Sequence, residues 1–255
     1  MDTTIRKSFQ GIGNVVKFNW HFYVLALILL IVLLTSTLFI NSNYTIYCFV
    51  MAAVVFIPTF ISLLVTYYIY DYSDIYEIEY LNELNISQED KLVNIHAGFD
   101  EFSFAIAEKF KTQNLSVFDF YNPKKHTEIS IERARKVSSV FPNTQSIETS
   151  TIRLEPESVA TIFVLFSAHE IRNLQERIVF FKQMEKALHK NGQIIVMEHL
   201  RDLPNFIAYT IGFFHFLSKS EWEKTFQYSN LSIQKEMKIT PFISVFILQK
   251  NGITS

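Results

Sequence analysis

Residues 180–198 read FFKQMEKALHKNGQIIVME. Residues 174–190 have the pattern of a strong helix, and Asn191-Gly192 supplies the residues on which helices usually stop. The apolar run 193–197 then reads as a strand. A helix, a glycine stop and a strand in immediate succession are the repeating unit of an α/β sheet. The neighbouring segments continue the alternation in both directions. Upstream, the unbroken apolar run TIFVLF (161–166) predicts a strand buried on both faces. Residues 92–96, 115–119 and 145–149 predict three more strands, separated by helices over 101–110 and 126–138. Downstream, 205–217 predicts an aromatic-rich helix, and Ser220 with Glu223 forms a capping-box pattern that opens another. Residues 233–239 and 243–248, with Thr240-Pro241 between them, suggest an antiparallel pair at the end of the sheet. The expectation is a doubly wound, mostly parallel α/β sheet over residues 91–255, with no internal repeat.

Two apolar runs precede this domain. Residues 21–40 and 44–68 carry no Asp, Glu, Lys or Arg, and about 20 residues at ~1.5 Å each match a ~30 Å bilayer core. Residues 41–43 are too short for more than a turn, and Pro58 is tolerated in a membrane helix. The second run follows at once, without a small-residue cleavage site, which argues against a signal peptide. The reading is a two-helix transmembrane hairpin over 21–68, with the lipid bilayer as a partner. Arg6, Lys7 and Lys17 place the 1–20 tail, and with it the folded domain, on the cytoplasmic side. Residues 69–90 read as a juxtamembrane linker containing a short helix, entered through the cluster Tyr67, Tyr68, Tyr70 and Tyr72. The single cysteine, Cys48, excludes a disulfide framework and a cysteine zinc site. A net charge of -2 without a basic stripe gives no nucleic-acid signature. The oligomeric state is not encoded in any of these patterns.

The stretch 180–198 and the order of elements resemble the class I S-adenosylmethionine-dependent methyltransferases, Rossmann-like enzymes with a seven-stranded sheet. The closing segments, with Trp222, the turn 228–231 and the strand 242–250, are similar to that family's C-terminal end. The resemblance implies S-adenosyl-L-methionine as cofactor. It also implies a first motif with an acidic residue and Gly-x-Gly-x-Gly, for which this chain has Asn94-Ile-His96-Ala-Gly98-Phe-Asp100. Only Gly98 remains of three glycines, whose usual role is close backbone approach at positive φ. The resemblance further places Asp119 at the ribose hydroxyls, with Phe120 beside it. A carboxylate there can accept both hydroxyl hydrogen bonds. It places Ser150, next to Glu148 and Thr149, near the adenine, and Ser167 at the end of strand four. The implied cofactor residues are therefore Asn94, His96, Gly98, Asp119, Phe120, Ser150 and Ser167.

In open α/β sheets the chemistry sits at the C-terminal strand ends. Strand four ends in Ser167-Ala-His169-Glu170-Ile-Arg172, and strand five in Glu198-His199-Leu-Arg201. Histidines His169 and His199 titrate near neutrality and suit a base role. Glu170 can orient one of them, and Arg172 or Arg201 can hold an anionic group. Helix capping and an Arg172–Glu176 i,i+4 pair are the structural alternative. His169, Glu170 and His199 are also metal-ligand types, but their spacing matches no zinc motif and no metal is expected. The aromatic stretch 205–217 suits a lid over a lipophilic small-molecule acceptor, with His215 read as a packed histidine. The functional expectation is a membrane-anchored methyltransferase acting on a lipophilic small-molecule or lipid acceptor. A non-catalytic scaffold that keeps this fold is the first alternative. A nicotinamide-dependent oxidoreductase is the second, weakened by the absence of Gly-x-Gly-x-x-Gly.

Overall fold

The strands are β1 Leu92–His96, β2 Leu115–Asp119, β3 Gln145–Ser146, β4 Val159–Leu165, β5 Leu188–His199, β6 Leu231–Thr240 and β7 Ile243–Lys250. In the computed structural model, which describes residues 7–252 apart from 85, 127, 138 and 139, they form one sheet in the order β3-β2-β1-β4-β5-β7-β6. Strands β1 to β5 are parallel; β7 lies antiparallel between β5 and β6. The crossovers carry α4 (Ser103–Lys109), α5 (Ile129–Arg135) and α6 (Leu174–Ala187), while α7 (Leu203–Tyr209) and α8 (Lys219–Tyr228) lead into the closing hairpin. This is the α/β methyltransferase fold, with a seven-stranded mixed sheet.

The unbroken apolar runs feed both faces, because successive strand side chains point to opposite sides. Ile162, Val164, Ile194 and Val196 pack on Phe180, Phe181 and Met184 of α6 and on Trp222 and Phe226 of α8. Phe163, Leu165, Ile195 and Met197 face Phe102, Ile106 and a third group: Ile69, Ile75, Ile78 and Leu81. That third group corrects the expectation of a linker over 69–90. Tyr68–Tyr72 forms a π-helical turn and two 3-10 turns follow (Ile75–Glu77 and Glu79–Leu81), with the four apolar side chains at 0–2% exposure. Each such burial contributes about 1.5–3 kcal/mol, so the segment is part of the core.

Three further boundaries differ from the sequence reading. Helix α6 ends at Ala187, and Asn191-Gly192 lies within β5 rather than at a helix stop. The register slips there, with Val159 opposite Leu188 but Thr161 opposite Gln193. A Cβ on Gly192 would sit 2.9 Å from the Val159 carbonyl oxygen, so the glycine serves close strand approach. The capping box is Ser218 with Glu221, two residues before the expected pair. The sequence SKSEWE offers two overlapping frames, and the earlier one turns Trp222, Thr225 and Phe226 inward. The aromatic stretch is not one helix: α7 ends at Thr210, whose φ is 46°, and continues as a 3-10 turn over Thr210–His215.

At the N-terminus, α1 (Gln10–Phe18) turns into α2 (Trp20–Ser36), which packs against α3 (Thr45–Tyr67). Side chains such as Leu25, Ile28, Ile46, Phe49 and Val54 are exposed. Among the described residues, one helical stretch, Ser42–Glu77, is long and apolar enough to cross a membrane. The pair α1 and α2 meets that test only as one span bent by 78°. Asp71 accepts hydrogen bonds from the amides of Gly11 and Ile12, both at 2.7 Å, and Arg133 of α5 donates to the Phe18 carbonyl at 2.6 Å. These bonds fix α1 beside the C-terminal strand ends. Arg6 of the basic tail lies outside the described residues.

Candidate active site

The loop after β1 is built on Asn94, His96, Gly98 and Asp100. Gly98 has φ +87°, a conformation that strongly favours glycine. Its amide donates to His96 Nδ1 at 3.1 Å, which leaves the proton of the neutral ring on Nε2. Burial pushes the His96 pKa below its ordinary value, against the charges of Asp100 and Asp119. Asp100 Oδ1 accepts from the amides of Phe102 and Ser103 at the start of α4, and Asn94 Nδ2 donates to Ser103 at 2.8 Å. Three atoms of this cradle are buried without a hydrogen-bond partner: Asn94 Oδ1, His96 Nε2 and Asp100 Oδ2. Buried polar atoms normally find partners, and each orphan costs about 1–3 kcal/mol. Two acceptors and one donor are therefore available to a polar ligand.

At the end of β2, Asp119 Oδ1 accepts from the Tyr121 amide at 2.9 Å and Oδ2 from Arg135 Nη1 at 2.6 Å. The Arg135 guanidinium also lies 4.4 Å from the centre of the Tyr121 ring. A Cβ on Gly98 would meet Arg135 Nη1 at 2.5 Å, so the same guanidinium covers the glycine. Phe120 does not reach the cradle: its side chain is 1% exposed and packs on Phe180. Adjacent strand-end residues alternate faces, and Tyr121 stands where Phe120 was expected. Ser167 is also committed, its hydroxyl donating to the Ile95 carbonyl at 3.0 Å and tying the ends of β1 and β4 together. Ser150 is exposed on the far side of a short turn, while Thr149 beside it bonds Glu176.

The two His/Glu clusters at β4 and β5 do adjoin, but they do not merge. Glu198 and His199 are neighbours on one strand and face opposite sides of the sheet. Glu198 points to His169, accepting from Nδ1 at 2.7 Å and from the His169 amide at 3.2 Å. His199 points the other way, between Phe166 and Phe216, at 5.4 and 4.7 Å. Asn205 Nδ2 donates to Asp202 and to the Phe242 carbonyl, so its Oδ1 accepts from His199 Nδ1 at 3.0 Å. Tyr70 then donates to His199 Nε2 at 2.8 Å. Burial lowers the His199 pKa to about 4, against the Asn205 hydrogen bond. A neutral ring with both nitrogens engaged is neither a base nor a ligand, which corrects the role expected for it.

His215 takes the expected place of His199. The 3-10 turn after α7 brings its ring within 5.0 Å of the His169 ring. Glu170 Oε1 lies 3.2 Å from His169 Nε2 and 3.5 Å from His215 Nε2, and Glu128 Oε1 lies 2.7 Å from His215 Nδ1. Burial opposes charge on His169, but the Glu198 carboxylate and the hydrogen bonds from Glu170 and Glu198 raise its pKa to about 10. Burial likewise opposes charge on Glu170, but bonds from His169 and His215 hold its carboxyl well below the usual range. His169 is thus an imidazolium at neutral pH, held between two carboxylates, rather than the free base its position suggested. Arg172 bonds the His215 ring and carbonyl and lies 3.5 Å from Glu128. Arg201 donates to the Phe216 and Phe214 carbonyls at 2.8 and 3.2 Å. Both arginines clamp the 3-10 turn instead of presenting an anion site.

A cavity of about 250 Å³ connects the two halves. Ala97 and Phe99 line it on the cradle side, His169, Glu170 and His215 on the other, and Phe18 of α1 lines it as well. Phe166, at φ 48°, turns the chain out of β4 into this wall. Sequence reasoning missed Arg135, Glu128 and the arrival of His215. Only the charged side of the helix expected over 126–138 hinted at the first two.

No protein-family profile and no curated protein sequence matches the chain. Solved structures match by fold. An S-adenosylmethionine-dependent methyltransferase from Clostridium acetobutylicum superposes with a TM-score of 0.50 at 12% identity, over 71% of this chain and 91% of that one. A protein from Pyrococcus horikoshii gives 0.50 at 14% identity, over 68% and 86%. The pyocyanin biosynthetic protein PhzM gives 0.50 at 9%, over 82% of this chain and 59% of its own. The likeness at these identities is one of fold.

Proposed function

We propose that the protein is an S-adenosylmethionine-dependent methyltransferase, anchored in a membrane on its cytoplasmic side, acting on a lipophilic acceptor. The observation that carries the reading is the cradle at the end of β1 and β2. Gly98 at φ +87°, the orphaned Asn94 Oδ1, His96 Nε2 and Asp100 Oδ2, and the carboxylate of Asp119 converge there. Acceptors suit the cofactor's ammonium group, the His96 donor suits its carboxylate, and Asp119 suits the ribose hydroxyls once Arg135 swings aside. Bound there, the cofactor supplies a methyl group on an electrophilic sulfonium. The protein's task is alignment and exclusion of water, and the 250 Å³ cavity offers the space for the acceptor. His169, Glu170 and His215 line the acceptor end of that cavity. The lipophilic character of that acceptor is supported by the exposed side chains of α2 and α3 and by those of the α7 segment packed on α3: Leu203, Ile207, Ile211 and Phe214.

One observation favours a second reading, a scaffold without cofactor: Arg135 closes Asp119 and covers Gly98. Turnover decides between them. Full-length protein in bilayer discs, given methyl-tritiated S-adenosylmethionine and a membrane lipid extract, should move label into the organic-soluble fraction. No transfer to any extract, with cofactor bound, sinks the enzyme reading.

A further inference from the structure

The side chains at the acceptor end of the cavity form a donor set that the methyl-transfer reading alone does not require. Glu170 Oε1 stands 3.2 Å from His169 Nε2 and 3.5 Å from His215 Nε2, and all three donor atoms lie within 4.8 Å of one another. Two ligands at ~2.0–2.1 Å from a tetrahedral ion are about 3.4 Å apart, so two of the three spacings already match and the third, within 4.8 Å, closes by at most about 1.4 Å. Both imidazoles are prepared from behind. Glu198 Oε2 lies 2.7 Å from His169 Nδ1 and Glu128 Oε1 lies 2.7 Å from His215 Nδ1, with each Nε2 towards Glu170; Arg172 also bonds the His215 ring, its Nη2 3.1 Å from Nε2, and has to turn away for that nitrogen to ligate. A carboxylate behind each ligating histidine is the arrangement that fixes ring orientation and strengthens the ligand in metal sites. Charge points the same way. Glu128, Glu170 and Glu198 bring three carboxylates around the two rings, against the guanidinium groups of Arg172 and Arg177, and the excess negative charge favours a cation. The cluster faces the cavity, so further coordination positions open towards a ligand.

We propose that His169 Nε2, Glu170 Oε1 and His215 Nε2 bind a divalent transition metal, with the open positions taken by the oxygen of the methyl acceptor. The metal site stands on its own geometry; the acceptor role rests on the methyltransferase reading above. Two nitrogens and one carboxylate oxygen select borderline ions such as Zn²⁺, Mn²⁺, Fe²⁺ or Co²⁺ over Ca²⁺. Binding displaces the proton that bridges His169 and Glu170 and turns Arg172 off the His215 ring. An acceptor hydroxyl on the metal would lose its proton to solvent water more readily, which would leave a nucleophilic oxygen without a free histidine base.

The test uses the full chain in detergent or bilayer discs, with CoCl₂ as the probe and visible absorption as the readout. One equivalent of Co²⁺ should bind and develop d–d bands, and ZnCl₂ should bleach them by competition. Glu170→Gln and His215→Ala should each weaken Co²⁺ at least tenfold. Glu198→Gln, which removes only the carboxylate behind His169, should weaken it about 10- to 100-fold. His189→Ala, at the start of β5 and so at the opposite end of that strand from Glu198, should leave it unchanged. Circular dichroism and S-adenosylhomocysteine binding of the same variants report the fold and the cofactor site separately. The proposal is overturned if folded wild type binds no Co²⁺ stoichiometrically, or if Glu170→Gln and His215→Ala both retain full affinity. Co²⁺ binding without cofactor binding keeps the metal site and removes its acceptor role.

Discussion

Arg135 Nη1 lies 2.6 Å from Asp119 Oδ2, and the same guanidinium occupies the space over Gly98. The basic residue therefore competes with any ribose hydroxyl for the carboxylate. Cofactor entry requires Arg135 to leave, giving up a half-exposed ion pair worth about 0.2–1 kcal/mol. Arg135→Gln should tighten S-adenosylhomocysteine about 2- to 5-fold in a calorimetric titration. A tenfold loss instead would mean that Arg135 holds the cofactor rather than blocking it.

His199 makes stability depend on pH. The unfolded ring takes up a proton near 6.5, but the folded ring, buried between Phe166 and Phe216, does so only at about 4. Its folded pKa is lowered, so the unfolded state binds the extra proton first and stability falls as pH drops from 6.5 towards 4. The slope is about 1.4 kcal/mol per pH unit, or about 3 kcal/mol over the window. Denaturant melts of wild type and His199→Gln should differ by this slope between pH 6.5 and 4. Parallel stability curves would show that His199 is protonated in the fold.

The exposed surface of α3 tests the membrane reading. Val54, in the middle of α3, is 59% exposed. In hydrocarbon, Val54→Lys costs about 2.5–3.5 kcal/mol and should cut the fraction of chain that resists alkaline extraction from membranes. On a water-facing helix the lysine changes little. Equal recovery of wild type and variant in the alkaline-soluble fraction would remove the span.

The fold was legible where side-chain period decides it. The runs at 92–96, 115–119 and 161–166 became β1, β2 and β4 almost unchanged, and the closing hairpin was read as antiparallel. It failed where tertiary contact decides: Asn191-Gly192 became a strand irregularity through close approach to Val159, and 69–90 became core because Ile69, Ile75, Ile78 and Leu81 cover a sheet face. In the candidate site, the structure brings Asn94, His96, Gly98 and Asp119 together at the ends of β1 and β2. Phe120 turned inward, Ser167 and His199 were consumed by structural hydrogen bonds, and His215 replaced His199. The deciding fact there was strand alternation at Glu198 and His199, followed by a left-handed Thr210 that no pattern announces.

The central claim is that the cradle at β1 and β2 holds S-adenosylmethionine, and the most direct measurement is a calorimetric titration of the full-length protein with S-adenosylhomocysteine and, in parallel, NAD. The account predicts one equivalent of S-adenosylhomocysteine and no NAD. It also predicts an affinity loss of about 5- to 150-fold in a folded Asp119→Ala variant, which leaves the ribose hydroxyls unpaired at about 1–3 kcal/mol. Binding of NAD, or of neither compound, or an Asp119→Ala protein that binds S-adenosylhomocysteine as wild type does, would contradict it.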